Sequence, residues 1–149
     1  MDTIVDLATA ADLPVMADLL HELFTLESDF QPERAKQLRG LQLILDTPAL
    51  GRLFVVRVGG KVAGMANALI TVSTAQGAPV LLLEDVIVSR AHRGAGLGRR
   101  LVEHVYTWAR SQGMARVTLL ADQENAPALA FYEKLGFAPS AMLVRRKSL

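Results

Sequence analysis

At 149 residues the chain has the size of about one domain and can bury a core of its own. Sixteen Lys and Arg against fifteen Asp and Glu leave a formal charge of +1, which argues against a nucleic-acid surface built from bulk charge. The absence of cysteine excludes a disulfide scaffold, a thiolate metal site and a cysteine nucleophile, and Met1-Asp2-Thr3 opens no signal peptide, so a cytoplasmic protein is expected.

Ile4 to Ala8 reads as a short edge-type strand. Asp12 is placed to cap a helix with Val15, Met16, Leu19, Leu20, Leu23 and Phe24 on one face, and Pro14 falls in its first turn, where a missing N–H costs little. A loop from Leu26 to Pro32 leads to a second helix, about Glu33 to Leu45, which Asp46-Thr47-Pro48 ends. Arg52 to Val58 and Lys61 to Val72 read as strands around a Val58-Gly59-Gly60-Lys61 turn. Val62 to Leu83 carries no charged residue and has about the 20-residue length of a membrane helix. Asn67, Ser73, Gln76, Gly77 and Pro79 break it, so it reads as two strands joined at Gln76-Gly77-Ala78-Pro79, and no membrane partner is expected.

Val80 to Val88 is a buried strand interrupted only by Glu84 and Asp85. A basic glycine turn follows, and then Leu97, Leu101, Val102, Val105, Trp108 and Ala109 recur at helical spacing up to about Gln112, with Gly113 as the cap. Ala115 to Ala121 reads as another strand, Asn125 caps a helix from Ala126 to Leu135, and Met142 to Arg146 as a last strand. The order is β-α-α-β-β-β-α-β-α-β, one mixed α/β (α+β) domain over 1–149 without repeats.

The strand, glycine turn and helix make an anion site, because the first N–H groups of a helix lack internal partners and the helix dipole is positive there. Glycines 94, 96 and 98 remove β-carbons that would hold a phosphate away, Arg93, Arg99 and Arg100 add charge, and a diphosphate fits better than a carboxylate. A P-loop would end in Gly-Lys-Ser/Thr, whereas this turn ends Gly98-Arg99-Arg100. A dinucleotide fingerprint needs G-x-G-x-x-G and a later acidic residue, and here the spacing is G-x-G-x-G with Thr118-Leu119-Leu120 downstream.

Arg93-x-x-Gly96-x-Gly98 resembles the acyl-CoA loop of the GNAT superfamily of N-acetyltransferases. Asn125-x-x-Ala128-x-x-Phe131-Tyr132-x-x-x-Gly136-Phe137 is similar to that family's second CoA-contacting segment, so the resemblance spans roughly Val80 to Phe137. It implies the GNAT acyl-CoA N-acyltransferase fold, a mostly antiparallel central sheet whose middle strands splay, near Val88 and Ala115, around the cofactor's pantetheine arm. It further implies acetyl-CoA as cosubstrate and an amine acceptor, with Val86, Ile87, Val88, Arg93, Gly94, Ala95, Gly96, Leu97, Gly98, Arg99, Asn125 and Tyr132 as the cofactor-binding set. A homodimer would be in keeping with the family.

Thioester-to-amine transfer needs an oxyanion donor, a neutral amine and a proton for the departing thiolate. Main-chain N–H groups near Val86 and Val88 are candidates for the first. Tyr132 matches the family Tyr beside the sulfur, with a core aromatic as the alternative; Glu84 is the candidate base if it faces a cleft and is desolvated, with a strand-end carboxylate as the alternative. Strict alternation sets Glu84 and Asp85 on opposite faces. Asp122 is a weaker candidate for orienting substrate. His21, His92 and His104 lack metal-ligand spacing, so no metal is expected, and Arg145-Arg146-Lys147 reads as solvated charge. Glu27, Asp29, Glu33 and the Glu84-Asp85 pair tilt the acceptor toward a cationic amine, chosen by the Leu26 to Gln31 loop and the second helix. A non-catalytic acyl-CoA-binding module of the same fold is the alternative function; Glu84 and Tyr132 together favour an enzyme.

Overall fold

The computed structural model describes residues 1–27 and 31–149. Their elements are β1 (Thr3–Leu7), α1 (Leu13–Leu26), α2 (Arg34–Asp46), β2 (Gly51–Val58), β3 (Lys61–Ser73), β4 (Ala78–Val88), α3 (Leu97–Ser111), β5 (Val117–Leu119) and α4 (Ala126–Lys134), with 3-10 turns at Ala10–Asp12 and Arg90–His92. One sheet has the order β1-β2-β3-β4-β5; the first four strands are antiparallel and β5 runs parallel to β4.

Helices cover both faces of this sheet, which is why β2 reads as an unbroken apolar run and not as alternation. Phe54 and Val56 point to one face and meet Ala66, Ala68, Leu81 and Leu83 beneath the Leu101, Val102 and Val105 stripe of α3. Leu53 and Val55 point to the other, where Met65 and Ile87 pack under Met16, Leu20 and Leu41 of α1 and α2. The Val62 to Leu83 segment is a hairpin, as expected, although Pro79 lies inside β4, opposite Val72, and the turn falls earlier. Among the described residues no helix is long and apolar enough to cross a membrane.

Asp12 does not cap α1 with its side chain. Its backbone already belongs to the 3-10 turn, and its carboxylate turns back to accept from the Thr9 N–H at 2.8 Å and from both terminal nitrogens of Arg57 at 2.8 and 2.7 Å. Charge-assisted bonds to a guanidinium outweigh a single helix N–H. The expected strand from Met142 to Arg146 is absent too: Met142, Leu143 and Val144 are exposed and pair with no strand. Their apolar run is a local preference, and a strand forms only where an edge is available to its N–H and C=O groups.

Candidate active site

Residues Leu81, Leu82 and Leu83 of β4 pair with Val117, Thr118 and Leu119, and the ladder stops there. From Glu84 to Val88 that edge of β4 faces an open gap, which is the splay implied by the resemblance. Which main-chain groups look into it follows from two bonds. The Leu81 N–H donates toward the β5 side, to Arg116 O at 2.9 Å, while the Ser89 N–H donates to Ala63 O of β3 at 2.7 Å. Alternation back from Ser89 turns the N–H groups of Val88 and Val86 to the gap, and the Val88 carbonyl agrees, accepting from Arg93 Nε at 3.0 Å.

A β-bulge makes this possible. Between the pairs Asn67–Glu84 and Met65–Ile87, two residues of β4 oppose one of β3. Strict alternation therefore fails at the acidic pair: Leu83, Val86 and Val88 all pack on the α3 side, while Ile87 faces α1 and α2. Asp85 occupies the bulge at φ 56°, the one non-glycine described residue in the left-handed region, where Asp is better tolerated than bulkier side chains. Desolvation acts on the Asp85 carboxyl. Burial, then repulsion from Glu84, pushes its pKa up to about 6, against a hydrogen bond from Asn67 Nδ2 to Asp85 Oδ2 at 2.6 Å that favours the charged form. Glu84 is half-buried opposite Asn67.

Past β4, Gly94 and Gly96 take φ of 84° and 77°, and a β-carbon on either would meet nothing within 4 Å. Backbone conformation, not crowding, asks for glycine there, and the space in front is open. Gly98 differs: its β-carbon would stand 3.1 Å from Phe131 Cζ, so glycine lets the first turn of α3 close on α4. Among the described residues no side chain caps α3, and the N–H groups at its start lie on exposed Gly94, Ala95, Gly96 and Arg99, with Leu97 turned into the core. The arginines of the turn each have a protein partner. Arg93 is clamped by Val88 O and by Glu22 Oε1 at 2.7 Å, Arg99 Nε donates to Glu103 at 2.8 Å, and Arg100 donates to Thr3 O at 2.9 Å. The cradle is mainly main chain, and open space before unpaired N–H groups fits a diphosphate.

Tyr132 is half-buried between the rings of Phe131 and Phe137, at 5.2 and 5.8 Å. Its pKa is pushed up to about 12 by burial first, and then by the carboxylates of Glu27 and Asp85. Asn125 Oδ1 accepts from the Ala128 N–H at 3.2 Å and caps α4 as expected. Asp122 accepts from the Glu124 N–H at 2.9 Å, which shapes the turn before α4. His92 Nδ1 lies 2.8 Å from Ser89 Oγ, His104 meets the edge of Phe54, and His21 is exposed. Of the expected acceptor loop, residues 28–30, including Asp29, lie outside the described residues. Sequence reasoning missed Asn67 and Glu22. Asn67 carried a signal, a polar residue within the apolar β3, but in the sequence it serves only to break the uncharged Val62 to Leu83 span.

A sheet whose two parallel strands part beyond Leu83, beside a helix start that no described side chain caps, is the architecture of the GNAT acyltransferase fold. Residues 15–137 match the acetyltransferase (GNAT) family, and the chain belongs to that family. It is 39% identical over 88 residues to the streptothricin acetyltransferase of Streptomyces lavendulae, covering 58% of this chain and 44% of that one. Similarity to the glucosamine 6-phosphate N-acetyltransferase of Trypanosoma brucei brucei is 37% over 87 residues, covering 58% and 57%. The match thus spans about half the length of these relatives. The crystal structure of a possible acetyltransferase from Clostridium difficile 630 superposes with a TM-score of 0.88 over 99% of this chain and 97% of that one at 18% identity, a likeness of fold.

Proposed function

We propose that the protein is an acetyl-CoA-dependent N-acetyltransferase that moves an acetyl group to a primary amine of a small molecule or peptide, directly, in a ternary complex. The observation that carries this reading is the end of the β4–β5 ladder at Leu83, which turns the Val86 and Val88 N–H groups into a gap leading to the uncapped start of α3. Acetyl-CoA, when bound, supplies an acyl group activated as a thioester.

The residues of this chain then divide the work. The N–H groups of the Gly94 to Arg99 turn hold the diphosphate, those of Val86 and Val88 hold the pantetheine arm and the carbonyl oxygen that gains charge, and Asn125 keeps α4 in place. A single oxyanion donor of this kind is worth about 3 to 4 kcal/mol. Tyr132 retains its proton throughout the neutral range, because its pKa is pushed up to about 12, and gives it to the sulfur as the C–S bond breaks. The Glu84-Asp85 segment receives a proton from the amine. The carboxylates of Glu27 and Asp85 near that phenol, with Glu84 beside Asp85, favour an ammonium-bearing acceptor over a phosphosugar.

Calorimetry with acetyl-CoA on wild type and Gly96→Glu, followed by thiol release against streptothricin, spermidine and kanamycin, tests the reading. Binding lost in the variant and CoA released with an amine are expected. Folded wild type that binds no acetyl-CoA would refute it.

A further inference from the structure

We infer that Asp85, held in the β4 bulge by Asn67, is the catalytic base that takes the proton from the incoming ammonium, with Glu84 tuning it from the adjacent position. The inference rests on the transferase reading above and assigns one step of it to one carboxyl oxygen.

Three features of the geometry converge on Asp85. The bulge removes it from the regular ladder two residues past the last β4–β5 pair, so it stands where the gap opens. Its left-handed backbone is a conformation a strand has no general use for, retained at a position where it aims one side chain. Asn67, only 3% exposed, donates Nδ2 to Asp85 Oδ2 and so fixes one oxygen, leaving Oδ1 without a hydrogen bond among the described residues. A carboxylate with one oxygen anchored and one uncommitted is oriented to accept.

Asn67 serves both protonation states. Its own Oδ1 is buried and has no partner among the described residues. A half-turn of the amide exchanges Nδ2 for Oδ1, which then accepts from the newly protonated carboxyl, and no other bond of Oδ1 is lost in the exchange. The groups bearing on Asp85 are Glu84 on its own strand, Asn67 on β3 and the Tyr132 phenol on α4, which itself also feels Glu27 at the end of α1. Burial and Glu84 favour the protonated form and Asn67 the ionised one, which leaves a carboxyl that is ionised at neutral pH yet basic enough to accept a proton. In the balanced step the ammonium N–H bond breaks toward Asp85 and the freed lone pair forms the N–C bond. The C–S pair leaves on sulfur and takes the Tyr132 proton, the second amine proton restores the phenol, and Asp85 releases its proton to solvent.

The test has two arms. With streptothricin and spermidine as acceptors, the pH profile of kcat/KM is measured for wild type, Asp85→Asn, Glu84→Gln and Asn67→Ala, with acetyl-CoA affinity from calorimetry. Asp85→Asn should lose about 10²–10⁴ in rate together with the acid limb, at unchanged acetyl-CoA affinity. Glu84→Gln should move the limb to lower pH, and Asn67→Ala should move it to higher pH. In the second arm, which needs no turnover, carboxyl ¹³C NMR assigned with Asp85→Asn should show the Asp85 carboxyl titrating near 6 in wild type, with the same shifts in the variants. An active Asp85→Asn with its acid limb intact, or a wild-type Asp85 titrating near the ordinary 3.8, overturns the assignment while leaving the transferase reading in place. A wild type that binds no acetyl-CoA overturns both.

Discussion

Replacing Arg57 by Met should destabilise the protein by about 2 to 4 kcal/mol at pH 7, and the loss should shrink in acid. Arg57 ties β2 to the turn before α1 through two bonds to Asp12, whose side chain is 10% exposed against 18% for Arg57 itself. The guanidinium, opposed by burial and helped by the Thr9 N–H, lowers the Asp12 pKa from 3.8 to about 2. That displacement is worth about 2 kcal/mol, and leaving a carboxylate with only Thr9 adds to it. Because the folded value lies below the unfolded one, the contribution is complete above about pH 5 and declines as pH falls through 3.8 toward 2, reaching about 1 kcal/mol at pH 3. Urea unfolding of both proteins at pH 7 and pH 3 measures this. A loss below about 0.5 kcal/mol at pH 7, or one of equal size at pH 3, would refute the reasoning. Met keeps most of the apolar stem, so the change removes the charge interactions of Arg57 with Asp12 and, at 3.5 Å, Asp6.

Tyr132→Phe should lower kcat by about 10²–10⁴ with acetyl-CoA affinity nearly unchanged, read by thiol release and calorimetry; an unchanged kcat removes the phenol from the chemistry. Arg93→Gln should weaken acetyl-CoA binding by less than about tenfold, since Val88 O and Glu22 already hold the guanidinium; a loss of about 100-fold would mean that it leaves Glu22 for the diphosphate. Gly96→Glu should abolish acetyl-CoA binding in a protein of unchanged far-UV circular dichroism, because it strains a φ of 77° and sets a carboxylate before the cradle. Asn125→Ala should cost about 0.5–2 kcal/mol in thermal or urea unfolding through loss of the α4 cap; no change would show the cap to be unimportant.

Local and repeating features of the sequence determined most of the architecture. The 3.6-residue stripe of α3, the apolar runs of β2 and β4, the glycine turn and the Asn125 cap each act within one element, and a residue's neighbours along the chain suffice to specify them. The glycine turn before an uncapped helix was legible for the same reason, since glycines immediately before a helix leave its N–H groups free whatever else surrounds them. Contacts between elements distant in sequence were not legible. Asp12 was a plausible cap until Arg57, 45 residues on, drew its carboxylate away. The Glu22 partner of Arg93, 71 residues away in the chain and 2.7 Å away in space, was likewise invisible in the sequence. The acidic pair shows the limit best. Glu84 and Asp85 differ little as sequence, but β3 pairs with one residue fewer than β4 supplies, and the resulting bulge buries Asp85 against Asn67. Period-two reasoning assumes an unbroken ladder, and only the packed sheet decides where a ladder slips by one residue and where, past Leu83, it comes apart.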